Sequence, residues 1–143
     1  MVAQVAERAW SVVVPHQAAA AGGARTSLAT QLSTVLPAEM LADVVSVAGE
    51  LVGNAIRHAA PLNGGVIRLS WRVRNTRNSQ IVEVRVTDGG GVTEPLMRNA
   101  GQEATEGRGL AIVAALTSSW GVEHDGTEQT VWAELVRPRR PSR

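Results

Sequence analysis

Hydrophobic and polar residues alternate with period two in three segments and recur with helical spacing in three others, and this sets the element order. Val66 to Arg74 (VIRLSWRVR) places Ile67, Leu69, Trp71 and Val73 on one face and Val66, Arg68, Ser70, Arg72 and Arg74 on the other. Ile81 to Thr87 (IVEVRVT) and Thr130 to Val136 (TVWAELV) alternate in the same way. Alternation of this kind means one buried and one solvated face, which suits an antiparallel sheet covered by helices on one side. Ala9 to Val14 is β-branched and aromatic and closes at Pro15, predicting an edge strand. Helical spacing of Leu28, Ala29, Leu32 and Val35 predicts a helix from about Ala24 to Leu36, after the interruption at Gly22-Gly23. Pro37 then opens a second helix whose core stripe is Val44, Ala48, Leu51, Ala55 and Ala59, ending before Pro61.

Between the second and last alternating segments lies Asp88 to Gly107, an aperiodic stretch of the kind that is often functional. Gly109 to Ser118 (GLAIVAALTS) follows as a short apolar helix, and Gly121 to His124 pairs with Thr130 to Val136 about a turn at Asp125-Gly126. The sum is a two-layer α/β sandwich of the α+β class, with three helices on one face of a mixed, mainly antiparallel sheet. A chain of 143 residues makes one domain, expected over 1–136, and Arg137 to Arg143, rich in Arg and Pro, reads as a basic disordered tail.

Composition narrows the chemistry. All 14 basic residues are Arg, there is no Cys, Phe or Tyr, and the formal net charge is +1. Disulfides, thiolate metal sites and a cysteine nucleophile are thereby excluded. A near-neutral charge argues against direct nucleic-acid binding. No run reaches the roughly 18 to 20 apolar residues of a membrane span, and the WSVVV segment is too short for a signal-peptide core, so a cytoplasmic location is expected. With no lysine, a P-loop is excluded as well.

Three segments carry candidate chemistry. Glu50, Asn54 and His58 recur every fourth residue and so form a polar stripe along the second helix. Such a stripe can be a solvated helix face. Alternatively, the Asn54 carboxamide oxygen suits Mg²⁺, a hard cation that prefers oxygen ligands, and Glu50 one turn earlier could act as a general base. His58, in the last turn, favours the helix dipole. Asp88-Gly-Gly-Gly91 ends a strand with a carboxylate and a flexible bend, either a simple turn or an acceptor for the exocyclic amine of adenine. Gly107-Arg-Gly109 opens a helix beside a loop, where free N–H groups can meet phosphate.

In order and spacing, E-L-V-G-N-A-I-R-H-A, V-T-D-G-G-G and G-R-G-L-A-I-V resemble the N, G1 and G2 boxes of the GHKL superfamily of histidine-kinase-like ATPases. The resemblance extends from about Val12 to Leu135 and is greatest to bacterial anti-sigma-factor serine/threonine kinases and related ATP-binding regulators. It implies the Bergerat-type fold, with ATP and Mg²⁺ as cofactors, Asn54 as metal ligand and Glu50 as catalytic carboxylate. It further implies Asp88 and Gly90 at the adenine, and Gly107, Arg108, Gly109 and Leu110 at the nucleotide. Thr130 would supply a hydroxyl supporting adenine recognition. Residues 92–106 would form a short lid, in which Val92 replaces a usual glycine, and Arg98 or Arg108 would neutralise the γ-phosphate. Slow turnover is expected from so short a lid. The implied function is transfer of the γ-phosphate to a protein antagonist, with a sigma factor or that antagonist as partner and homodimers as an available state. The alternative is a nucleotide-gated interaction module without kinase activity.

Overall fold

The computed structural model describes residues 6–91 and 111–139. Strand β1 (Ala6–Pro15) is followed by a 3-10 turn (Ala18–Ala20), helices α1 (Ala21–Leu32) and α2 (Ala38–His58), and strands β2 (Val66–Asn75) and β3 (Ser79–Asp88). Residues 111–116 are helical and are labelled α3. Strands β4 (Ser119–Asp125) and β5 (Glu128–Pro138) complete the described chain. The sheet order is β1-β2-β3-β5-β4, and every neighbouring pair is antiparallel. β4 runs in the direction of β3, but β5 lies between them, so the mixed sheet of the sequence reading contains no parallel ladder among the described residues.

The alternation becomes the two faces of the sheet. Ile67, Leu69, Trp71 and Val73 of β2, Val82, Val84 and Val86 of β3, and Val131, Ala133 and Leu135 of β5 all enter one core with Leu28, Leu32, Val44, Val47, Ala48, Leu51 and Val52 from the helices. Val113 of α3 joins them. With no phenylalanine or tyrosine available, tryptophan supplies the aromatic bulk. Trp10 and Trp71 face each other in the β1–β2 register, their rings stacked at 6.2 Å between centroids.

Two boundaries depart from the pattern. α1 begins at Ala21 and runs through Gly22-Gly23, and it stops at Leu32 instead of Leu36. Burial of Ala24, Leu28 and Leu32 against α2 outweighs a glycine penalty of about 1 kcal/mol per residue. β5 continues through Arg137 and Pro138, so the tail boundary placed at 137 moves outward. Arg137 is held there by its Nε, which donates to Gln80 Oε1 at 2.8 Å. No helix among the described residues is long and apolar enough to cross a membrane.

Candidate functional site

Helix α2 starts after Pro37, which caps it in an extended conformation, and carries Glu39 in its first turn and Arg57 and His58 in its last, both signs matching the helix dipole. Its buried stripe includes Asn54, which is only 8% exposed. Asn54 therefore does not sit on a solvated flank. A buried carboxamide must be partnered, and Arg57 provides this: its Nη2 donates to Asn54 Oδ1 at 3.3 Å. The guanidinium reaches back over Gly53, where a Cβ would come 2.8 Å from Arg57 Nη1. A positively charged group thus already lies against the oxygen that the sequence suggests for a cation. Glu50, one turn earlier, is half-buried. His58 is the last residue of the helix and is exposed.

The exit of α2 is tied to the exit of β3. Gly89 N–H donates to Ala60 O, and Ala60 N–H donates to Gly90 O, each at 2.7 Å. A side chain at residue 89 would overlap the Pro61 carbonyl oxygen, so this close approach needs glycine. Gly90 has φ +88, and a Cβ there would fall 2.6 Å from Thr127 O. The two glycines let the chain turn at the end of β3 and press against both the α2 exit and the β4–β5 turn.

Asp88 sits at that bend, 1% exposed. Its Oδ1 accepts from Gly90 N–H at 2.7 Å. Burial raises its pKa above the ordinary carboxylate value, and the hydrogen bonds from Gly90 and Gln129, with the nearby charges of His16 and His124, pull in the opposite direction. His16 enters from the far side of the sequence: its Nε2–H donates to Ala59 O at 2.8 Å and to Ala55 O at 3.1 Å. It therefore ties the end of β1 to the end of α2. A carboxylate at this place, beside a bend that excludes side chains, can accept a hydrogen bond from a donating group.

The register places Thr130 elsewhere than the sequence reading did. Thr130 lies opposite Thr87, and the two hydroxyl oxygens are 2.8 Å apart. Because successive residues of a strand face opposite sides, this pair lies on the sheet face away from Asp88. The residue opposite Asp88 is Gln129, 4% exposed, with His124 of β4 next in the same row. Sequence reasoning missed Gln129 and His16. The inward alternation of Val131, Ala133 and Leu135 already carried the signal for Gln129, since counting back by two reaches 129 and not 130. Gly107, Arg108, Gly109 and Leu110, the lid at 92–106 and Arg98 lie outside the described residues.

Among the described residues no group of three or more His, Cys, Asp or Glu could hold a metal ion. A metal at Asn54 Oδ1 would be a hard cation such as Mg²⁺, and it would share that oxygen with the Arg57 guanidinium. The donor set fits that ion and no thiophilic one.

The family model for the histidine kinase-like ATPase domain matches residues 14–135. No curated protein matches the chain. Among solved structures, the crystal structure of the RsbU and RsbW domains of Rv1364c from Mycobacterium tuberculosis is similar with a TM-score of 0.62 and 20% sequence identity, covering 95% of this chain and 35% of that one. That likeness is one of fold, and the chain spans about a third of the length of the matched structure. Since the family model runs from the end of β1 into β5 and takes in the α2 and β3 segments described above, the chain belongs to the histidine kinase-like ATPase domain family.

Proposed function

We propose that the chain binds ATP with Mg²⁺ between α2 and the end of β3, and acts as a serine/threonine protein kinase of the anti-sigma type on a protein antagonist. The observation that carries the nucleotide reading is the buried Asp88 carboxylate at a glycine bend, an acceptor suited to the exocyclic amine of adenine. Asn54 would offer Oδ1 to Mg²⁺, and Glu50, half-buried one turn away, would receive the proton of the attacking hydroxyl. Mg²⁺ and ATP supply charge neutralisation and the transferable phosphoryl group, so the protein's part is alignment and electrostatics. Family membership supports the nucleotide part of this reading, and the resemblance of the three boxes to anti-sigma-factor kinases supports the kinase part.

Incubation with γ-labelled ATP and candidate antagonist proteins tests it. Label should pass to a serine or threonine of the antagonist with wild type and fall by about 100-fold or more with Glu50→Ala, as expected on removing a general base. Binding of ATP with no labelled protein for any antagonist would favour the nucleotide-gated interaction module.

A further inference from the structure

We propose that the end of the sheet remote from Asp88 holds a second ligand site, a cavity that takes a small aliphatic α-amino acid on Arg8, Thr34 and Asn75. Asn75 closes β2 and lies opposite Gln80 near the start of β3, and Asp88 closes β3 about 26 Å further along the strand. At this far end a cavity of about 250 Å³ lies between the sheet and the α1–α2 connection, lined by Arg8, Thr34, Val35, Val73 and Asn75. Its walls are held by contacts of their own. Val35 N–H and Leu36 N–H both donate to Leu32 O at 3.0 Å, which closes the turn after α1. Val35 O in turn accepts from Gln80 Nε2 at 3.3 Å, and Gln80 is 4% exposed and accepts at Oε1 from Arg137.

Two of the lining groups lack a partner among the described residues. Asn75 Oδ1 is shut off from solvent and accepts no hydrogen bond, whereas most buried side-chain oxygens are paired. Arg8 forms no ion pair, while Arg72 and Arg85 on the opposite face of the sheet meet Glu7, Glu83 and Glu123. Arg8 stands opposite Val73 and so diagonally from Asn75, a spacing of about 7 to 8 Å that one small molecule can bridge. A guanidinium only donates and prefers a carboxylate, and an amide oxygen only accepts and requires N–H. Thr34 adds a hydroxyl that serves either group, and Val35 and Val73 add an apolar wall. A carboxylate, an adjacent ammonium and a branched hydrocarbon are together an aliphatic α-amino acid. The volume is about eight times the ~30 Å³ of one water in the liquid, which suits valine and is too small for a nucleotide.

NMR titration of the full chain with L-valine tests the site. The matched arms are 3-methylbutanoate, which lacks the ammonium, and isobutylamine, which lacks the carboxylate. L-valine should shift the backbone amides of Thr34, Val35, Val73 and Asn75 saturably with a Kd of about 1 mM or tighter, and each arm should bind at least about fivefold more weakly. Arg8→Met keeps the stem of an exposed side chain and removes the charge, so it should weaken L-valine about tenfold without loss of the fold. Asn75→Ala should weaken it about fivefold, and the amides of Asp88 and Gly90 should not shift in any titration. Saturable shifts that either arm reproduces at equal affinity, or that survive unchanged in Arg8→Met, overturn the amino-acid reading. The absence of any saturable shift at about 20 mM L-valine, roughly twenty times the expected Kd, overturns the site itself.

Discussion

Replacing Gly89 by alanine should separate the two segments that frame the site. The added methyl would overlap the Pro61 carbonyl oxygen and come 3.1 Å from Ala60 O, and both are backbone atoms that cannot rotate away. Relief requires the β3 exit to move from the α2 exit, which breaks or lengthens the reciprocal bonds between Ala60 and Gly89-Gly90. At about 0.5 to 1.5 kcal/mol for each bond, the loss is about 1 to 3 kcal/mol. For a domain of this size about 3 to 4 °C of Tm accompanies each kcal/mol, so a fall of about 3 to 12 °C is expected. Gly23→Ala is the matched control, since nothing lies within 4 Å of its added methyl and it sits inside α1. Removing a helical glycine should raise Tm by a degree or more, from a gain of about 0.5 kcal/mol. Differential scanning calorimetry of both variants gives opposite signs if the reasoning is right. A Gly89→Ala variant that melts with wild type would refute the tight crossing of the two exits.

Two further outcomes bear on the site. Burial holds the Asp88 pKa above 3.8, so the stability linked to its proton is fully present below 3.8 and is lost as pH rises through the folded value. Binding runs the other way: ATP affinity should decline as pH falls through that raised pKa, with His16 and His124 as the neighbouring titratable groups, and Asp88→Asn should remove the decline while costing about 1 to 3 kcal/mol of binding at neutral pH. Calorimetry across pH checks both, and a decline retained in Asp88→Asn would show that Asp88 is not its source. Asn54→Ala should abolish the Mg²⁺ dependence of ATP binding, and dependence that survives would remove Asn54 from the metal.

Much of this architecture was legible because the period of the pattern states which face is buried. Ile67, Leu69, Trp71 and Val73 entered the core as their alternation required, and Pro37 marked the start of α2. Polar strand ends were not legible: Asn75, Ser79 and Gln80 join β2 and β3 because cross-strand pairing holds them, not because they are apolar. The glycine pair in α1 misled for a related reason, since tertiary burial of Ala24 and Leu28 outweighs local propensity. Asp88 stood out as a carboxylate ending a strand before three glycines. The partners that shape its surroundings did not, because His16 reaches Ala55 and Ala59 across 39 and 43 residues of sequence and Gln129 meets Asp88 only through the sheet register. Asn54 was legible by spacing, but its burial was not, because the stripe of α2 is wide enough to take it in.

The site reading is tested most directly by a crystal structure with Mg²⁺ and a non-hydrolysable ATP analogue. The account predicts the adenine amine at about 2.7 to 3.2 Å from the Asp88 carboxylate and Mg²⁺ at about 2.0 to 2.1 Å from Asn54 Oδ1. A nucleotide bound elsewhere, or one bound here with its amine turned away from Asp88 and its metal off Asn54, would contradict it.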